Sequence, residues 1–410
     1  MWYDAPMKKN VFTCLLLLLL ILGCEGPSKE AVAVPTATQS VSAEMATPAS
    51  EPSDAPAATP EPYPANEQIF VSSVTASPTV EPTAAPTEAP TAEPTAEPTP
   101  APTEVPAPKE RYAVEPGVET VAWLSDTQHY ANYRTKNLPD IYPVMTGFLR
   151  DKAKEMNLVY IVHTGDLVHV NNDPENWTTA RAAMDLLNGI PTGVLAGNHD
   201  MNPDKGGYKN YWQYFGEKQY NTQECYGESF ENNRGHYDLV TICGREYIFV
   251  YMSYDPSKKA MEFIVNSFLK YPDRVGILCL HDFITSDGKL SKTGTLLRTQ
   301  VVAKCPNLYM VLCGHRYGLY TLEDAFDDDK DGVKERKVYE IMMNYQAAGK
   351  VGGGGYLRLM QFDEEKHEIR CVNYSPYYDD YDWLDDPNNR EKHYEMDETS
   401  ESFTLKMPWA

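Results

Sequence analysis

A chain of 410 residues is long enough for two or three domains, but Pro, Thr, Ala, Glu and Ser dominate its first quarter, leaving about 300 residues for one packed core. Its formal charge of −23 repels the phosphate backbone of nucleic acid, so no nucleic-acid polymer is expected as a partner. A small phosphorylated ligand stays allowed, because local metal charge rather than the net field would hold it.

From the N-terminus, Lys8 and Lys9 precede the apolar run Leu15 to Leu22, then Gly23 and Cys24. This is the layout of a signal peptide over residues 1–24, too short for a spanning helix. Ile21-Leu22-Gly23-Cys24 also resembles a bacterial lipobox, which implies that Cys24 is lipidated and anchors the exported chain on the outer face of the cell membrane. Plain cleavage beside an incidental cysteine is the alternative. Residues 25–111 are expected to be a disordered linker: the stretch 25–109 holds 18 of the 31 prolines and buries too little apolar surface to fold. Between Pro82 and Pro106 proline recurs every fourth residue, which favours extended polyproline II segments and a stalk that lifts the rest of the chain off the membrane.

A folded domain is predicted over residues 112–410. Apolar runs of strand length lie at Val121 to Leu124, Leu158 to Val162, Gly193 to Ala196, Val275 to Leu280 and Leu308 to Leu312. Helical periodicity marks Ile141 to Met156, Trp177 to Leu187, Ala260 to Leu269 and Leu296 to Ala303. The alternation predicts βαβ units around a central sheet buried on both faces. From Tyr220 to Tyr254 and from Val338 to Asn373 short alternating strands take over, which predicts a mixed or a second sheet.

Every one of the five runs ends in residues able to bind a metal. Ser125-Asp126-Thr127-Gln128-His129 follows the first and His163-Thr164-Gly165-Asp166 the second. Gly197-Asn198-His199-Asp200, His281-Asp282 and Gly314-His315-Arg316-Tyr317 follow the others. One such tetrapeptide is more often a turn than a site. Five in order, each after an apolar run, point to loops that converge at the carboxyl ends of the strands.

This ordered set resembles the calcineurin-like metallophosphoesterases, which carry Asp-x-His, Gly-Asp, Gly-Asn-His-Asp/Glu, an isolated His and Gly-His-x-His. The resemblance implies an α/β fold, a four-layer α/β/β/α sandwich, and a pair of metal ions drawn from Mn, Fe or Zn. It implies that Asp166 bridges the ions, that Asn198, His281 and His315 complete the second site, and that Asp126 serves the first with whatever stands at positions 128 and 317. On that resemblance, a hydroxide activated by the metals would attack phosphorus. The resemblance further implies that His199 would protonate the leaving group or stabilise the transition state, and that Asp200 would orient its ring by accepting the other N–H.

Gln128 and Tyr317 stand where the family has histidine, and in the family's arrangement both positions serve the first metal. A neutral carboxamide and a phenol are weaker donors, so the first site is expected to be weaker or differently selective than the second, with His129 or the Tyr317 phenolate as substitutes. Asp327, Asp329, Asp331 and Gly332 have the spacing that opens a calcium loop, but Val338 holds the twelfth position, and an acidic solvated loop fits better. Tyr374 to Trp383 reads as edge packing in the second sheet or as a cleft wall. His163 and His169 flank Asp166 as supports of the site or as strand-end packing. Six cysteines follow Cys24; Cys225 with Cys243 is the first pair to test as a disulfide, while Cys279 and Cys313 read as buried thiols. The expected function is hydrolysis of small phosphate mono- or diesters at the cell surface. A catalytically silent binding module that retains the fold is the alternative, supported by Gln128 and Tyr317.

Overall fold

The apolar runs become strands whose alternate residues face two different cores. In the computed structural model the described residues are 111–132, 140–202, 207–346, 352–385 and 398–409. The chain clusters into two units, residues 1–98 and 99–410, and all described residues belong to the second. The signal peptide, Cys24 and the linker up to residue 110 lie outside the described residues.

Three parallel strands, β1 (Glu119–Leu124), β2 (Leu158–His163) and β3 (Thr192–Val194), form half of a six-stranded sheet. The antiparallel strands β11 (Leu357–Asp363), β12 (Glu368–Tyr374) and β13 (Phe403–Lys406) complete it in the order β13-β12-β11-β1-β2-β3. The second sheet has seven strands: β4 (Tyr226–Phe230), β5 (Gly235–Ile242), β6 (Arg245–Met252), β7 (Val275–Leu280), β8 (Leu308–Cys313), β9 (Gly318–Phe326) and β10 (Arg336–Asn344). Its order is β4-β5-β6-β7-β8-β10-β9, parallel from β6 through β10 and antiparallel at the flanks.

The five runs therefore do not share one central sheet, as the alternation predicted. They divide three and two between two sheets that pack face to face. Val121, Trp123, Val162, Phe249, Tyr251, Ile277 and Leu312 fill the space between the sheets. Ala122, Leu124, Ile161 and Val194 face the other way, against α2 (Tyr142–Lys152) and α3 (Pro174–Asp185). Val250, Leu278 and Val311 face α5 (Lys258–Lys270) and α6 (Lys292–Gln300). Burial on both faces explains why the runs are continuous rather than alternating, and the result is the four-layer α/β/β/α sandwich.

Helix starts follow local chemistry. Asp173 caps α3 by accepting the Glu175 N–H, Ser257 caps α5 through Ala260, and Ser291 caps α6 through Gly294. The short helices α1 (Gln128–Ala131) and α4 (Lys209–Phe215) lack side-chain caps. Sequence periodicity passed over α4, although Tyr208, Tyr211, Trp212 and Phe215 have helical spacing.

Two further expectations change. Cys225 and Cys243 are free thiols, as are Cys279, Cys305, Cys313 and Cys371. The Cys243 thiol instead meets the carbonyls of Gly117 and Phe362, each at 3.3 Å. In the tyrosine-rich stretch, Tyr374 packs with Tyr112, Phe148 and Tyr381 on the first sheet rather than the second, while Trp383 joins the core between the sheets.

Candidate metal centre

The carboxyl ends of β1, β2 and β3 meet those of β7 and β8, so two sheets contribute to one site. Asp166, His281 and His315 each place a ligand atom within 4.8 Å of the others. His281 Nε2 lies 3.3 Å from Asp166 Oδ1 and 3.1 Å from Asn198 Oδ1. Ligands about 2.1 Å from one ion at right angles stand about 3 Å apart, so the donor set fits a cation.

Tautomer chemistry makes the same point. His281 Nδ1–H donates to the Thr164 carbonyl at 2.8 Å, which leaves Nε2 facing two oxygen acceptors. A bare lone pair there would be repelled, so that nitrogen needs a proton or a metal ion. His315 Nε2 and Gln128 Oε1 are likewise buried polar atoms without a hydrogen-bond partner. Burial, then the charges of His281 and Arg316, lower the pKa of His315 to about 3, so its ring stays neutral and able to ligate.

Backbone conformation positions these groups. Asp126, Asp166 and His315 have φ of 52°, 55° and 67°, a left-handed geometry that costs roughly 1–2 kcal/mol in a residue with a Cβ. Two glycines let the loops close on them. A Cβ on Gly197 would stand 2.1 Å from Asp166 Oδ1, and one on Gly314 would stand 2.1 Å from Asp126 Oδ2.

Hydrogen bonds then lock the orientation. Trp123 Nε1 donates to Thr164 Oγ1, Thr164 to Ser125 Oγ, and Ser125 to Asp126 Oδ2, at 3.0, 2.6 and 2.6 Å. The His315 backbone N–H donates to both Asp126 oxygens. Gln128 Nε2 donates to Asp166 Oδ2 at 3.0 Å, which places residue 128 against the carboxylate expected to bridge. Burial, partly offset by His281, pushes the Asp126 carboxyl above its ordinary range. Tyr317 is half-buried on the loop between β8 and β9.

His163 is buried and supports the second loop. Its Nδ1 accepts the Gly165 N–H at 3.1 Å, so its Nε2–H donates to Thr127 Oγ1 at 2.9 Å. Burial lowers its pKa to about 3, which keeps it neutral.

The role expected of Asp200 is corrected. Its carboxylate accepts the backbone N–H groups of Leu167, Val168 and Gly197 at 2.8–3.0 Å, tying the second loop to the third. The His199 ring is held instead by the His169 carbonyl, 2.9 Å from Nδ1, and stacks on the His169 ring at 5.2 Å. A backbone carbonyl outcompetes the carboxylate because Asp200 is fully buried beneath its own turn. Asp200→Ala would strand three buried N–H groups and is expected to destabilise the fold by about 3 kcal/mol, read as a lowered midpoint in urea unfolding.

His129 lies against His169, ring centroids 5.0 Å apart, and His129, His169 and His199 form a row of ring contacts. The acidic loop groups Asp327 and Asp329 with Glu335, not Asp331. Asp327 and Asp329 accept the loop's own N–H groups at Gly332 and Asp331. Sequence reasoning passed over Tyr254, whose ring stands 5.3 Å from His315 and 6.0 Å from His281. The signal was present: Tyr247 to Met252 is another apolar run with polar residues after it.

A sandwich of two mixed sheets between helices, with carboxylate, amide and imidazole donors at shared strand ends, is a metallophosphoesterase fold. Residues 119–317 match the family model for the calcineurin-like phosphoesterases, which supports a domain of that class over this stretch. The chain is 38% identical over 289 residues to the uncharacterized protein YvnB of Bacillus subtilis (strain 168). That match covers 70% of this chain and 22% of YvnB, so the chain spans about a fifth of that relative's length. Among solved structures, purple acid phosphatase PPD1 of yellow lupin (Lupinus luteus) is 13% identical with a TM-score of 0.44, covering 72% of this chain and 55% of that one. The 5'-nucleotidase precursor of Thermus thermophilus is 12% identical with a TM-score of 0.36, covering 64% and 53%. Likenesses this distant carry no argument about chemistry.

Proposed function

We propose that this chain is a metal-dependent phosphoester hydrolase acting on small phosphorylated substrates. The reading is carried by Asp166, Asn198, His281 and His315, which meet from two sheets in a geometry that asks for positive charge. When bound, a pair of cations supplies Lewis acidity that acidifies water and polarises phosphoryl oxygens. Asp166, Asn198, His281 and His315 hold the second position; Asp126, Asp166 and Gln128, with Tyr317, serve a weaker first one. His199 keeps Nδ1–H on the His169 carbonyl, which reserves Nε2 to hold or deliver a proton at the leaving oxygen. On this reading residues 1–24 direct export, Cys24 carries lipid, residues 25–111 form a stalk, and the enzyme works at the outer face of the membrane.

The test is turnover of a chromogenic phosphate monoester and a diester by the manganese-loaded chain. Activity lost on replacing either Asp166 or His199 supports the proposal. Failure to turn over either ester, with cation uptake intact, would favour the silent binding module, for which the substitutions at Gln128 and Tyr317 speak.

A further inference from the structure

Arg316 follows His315 on the loop leaving β8 and is exposed. Among the described residues its one hydrogen bond joins its backbone N–H to the Gly314 carbonyl at 2.8 Å. Every other described arginine engages its guanidinium with a carboxylate, amide or carbonyl oxygen; among the described residues Arg316 alone does not. In a chain of net charge −23, carboxylate partners are plentiful, so a guanidinium without one among the described residues is a specific placement.

That placement opposes the metal. A fixed positive charge beside His315 repels any cation the imidazole takes up and lowers its affinity. The arrangement becomes favourable when an anion lies between the two charges, and a planar guanidinium can give such an anion two parallel N–H donors. The Tyr254 ring lies tilted against His315 at 5.3 Å and edge-on to His281 at 6.0 Å, within electrostatic reach of Arg316, so its phenol borders the same space.

We propose that Arg316, flanked by Tyr254, determines specificity for substrates bearing a second phosphoryl group next to the scissile one, as in a diphosphate. The inference rests on the phosphoesterase reading and names its substrate class. The scissile phosphoryl belongs to the cation centre, and the next one is bound by the guanidinium.

Calorimetric titration of the manganese-loaded full chain with methylphosphonate and with methylenediphosphonate, which is not cleaved, tests this. The diphosphonate is expected to bind about ten- to a hundredfold tighter than the monophosphonate. Arg316→Gln should erase most of that ratio while leaving methylphosphonate within about twofold, and Arg316→Lys should retain part of it because charge survives without the fork. An unchanged ratio in Arg316→Gln overturns the proposal, as does an equal loss for both ligands. A native chain that binds methylphosphonate without favouring the diphosphonate overturns the proposal alone, whereas one that binds neither overturns the phosphoesterase reading beneath it.

Discussion

Asp166→Asn is expected to weaken cation uptake at least about a hundredfold and to lower kcat/KM about a thousandfold. Asp166 is 1% exposed, and its Oδ1 faces both His281 Nε2 and the His199 N–H while Oδ2 receives the Gln128 amide. Asparagine keeps the shape but removes the charge that both a metal ion and protonated His281 require. Without a cation, burial disfavours charge on His281, but the Asp166 carboxylate, joined by Asp126 and the Thr164 carbonyl, offsets burial and raises its pKa to about 10. The His281–Asp166 contact therefore stabilises the cation-free fold fully below the ordinary histidine value of 6.5, and that contribution is lost as pH rises through about 10. A metal ion at the second position must displace the same proton, so uptake there should strengthen as pH rises through this window, with release of the His281 proton. Calorimetry in buffers of different ionisation enthalpy reads the release directly. Affinity independent of pH between about 7 and 9 would contradict the coupling.

His199→Gln is expected to lower kcat about 10²- to 10⁴-fold and to leave cation uptake intact. The His199 side chain stands outside the Asp166–His281–His315 group, and the backbone N–H that donates to Asp166 Oδ1 at 2.9 Å is unchanged in kind by the substitution. Glutamine can keep a hydrogen bond to the His169 carbonyl, but it cannot exchange a proton near neutral pH. Metal content by elemental analysis, measured beside single-turnover kinetics, separates the two contributions. If metal content fell in parallel with rate, His199 would be a support of the centre rather than a proton donor.

The five polar strand ends were readable in sequence because each joins an apolar run to a turn, and both are local properties of the chain. Most predicted helices and strands appear within a few residues of their expected bounds for the same reason. Hydrogen-bond partners were not readable. Asp200 and His199 are neighbours in sequence, so a carboxylate–imidazole pair was the natural expectation; folding instead gave Asp200 the amides of Leu167 and Val168, and His199 the carbonyl of His169, all some thirty residues away. Tyr254 and Arg316 acquired their places only when β6 and β8 were laid side by side with β7.

Sequence alone determined the donor inventory, its order along the chain and the α/β class, since apolar periodicity records which residues must leave water. Only the tertiary structure decided that the runs divide between two sheets, that Asp200 braces the backbone, and that among the described residues one arginine stands without a partner beside His315. Those outcomes depend on contacts between segments far apart in the chain, and a residue's own neighbours carry no record of which distant strand will lie against it.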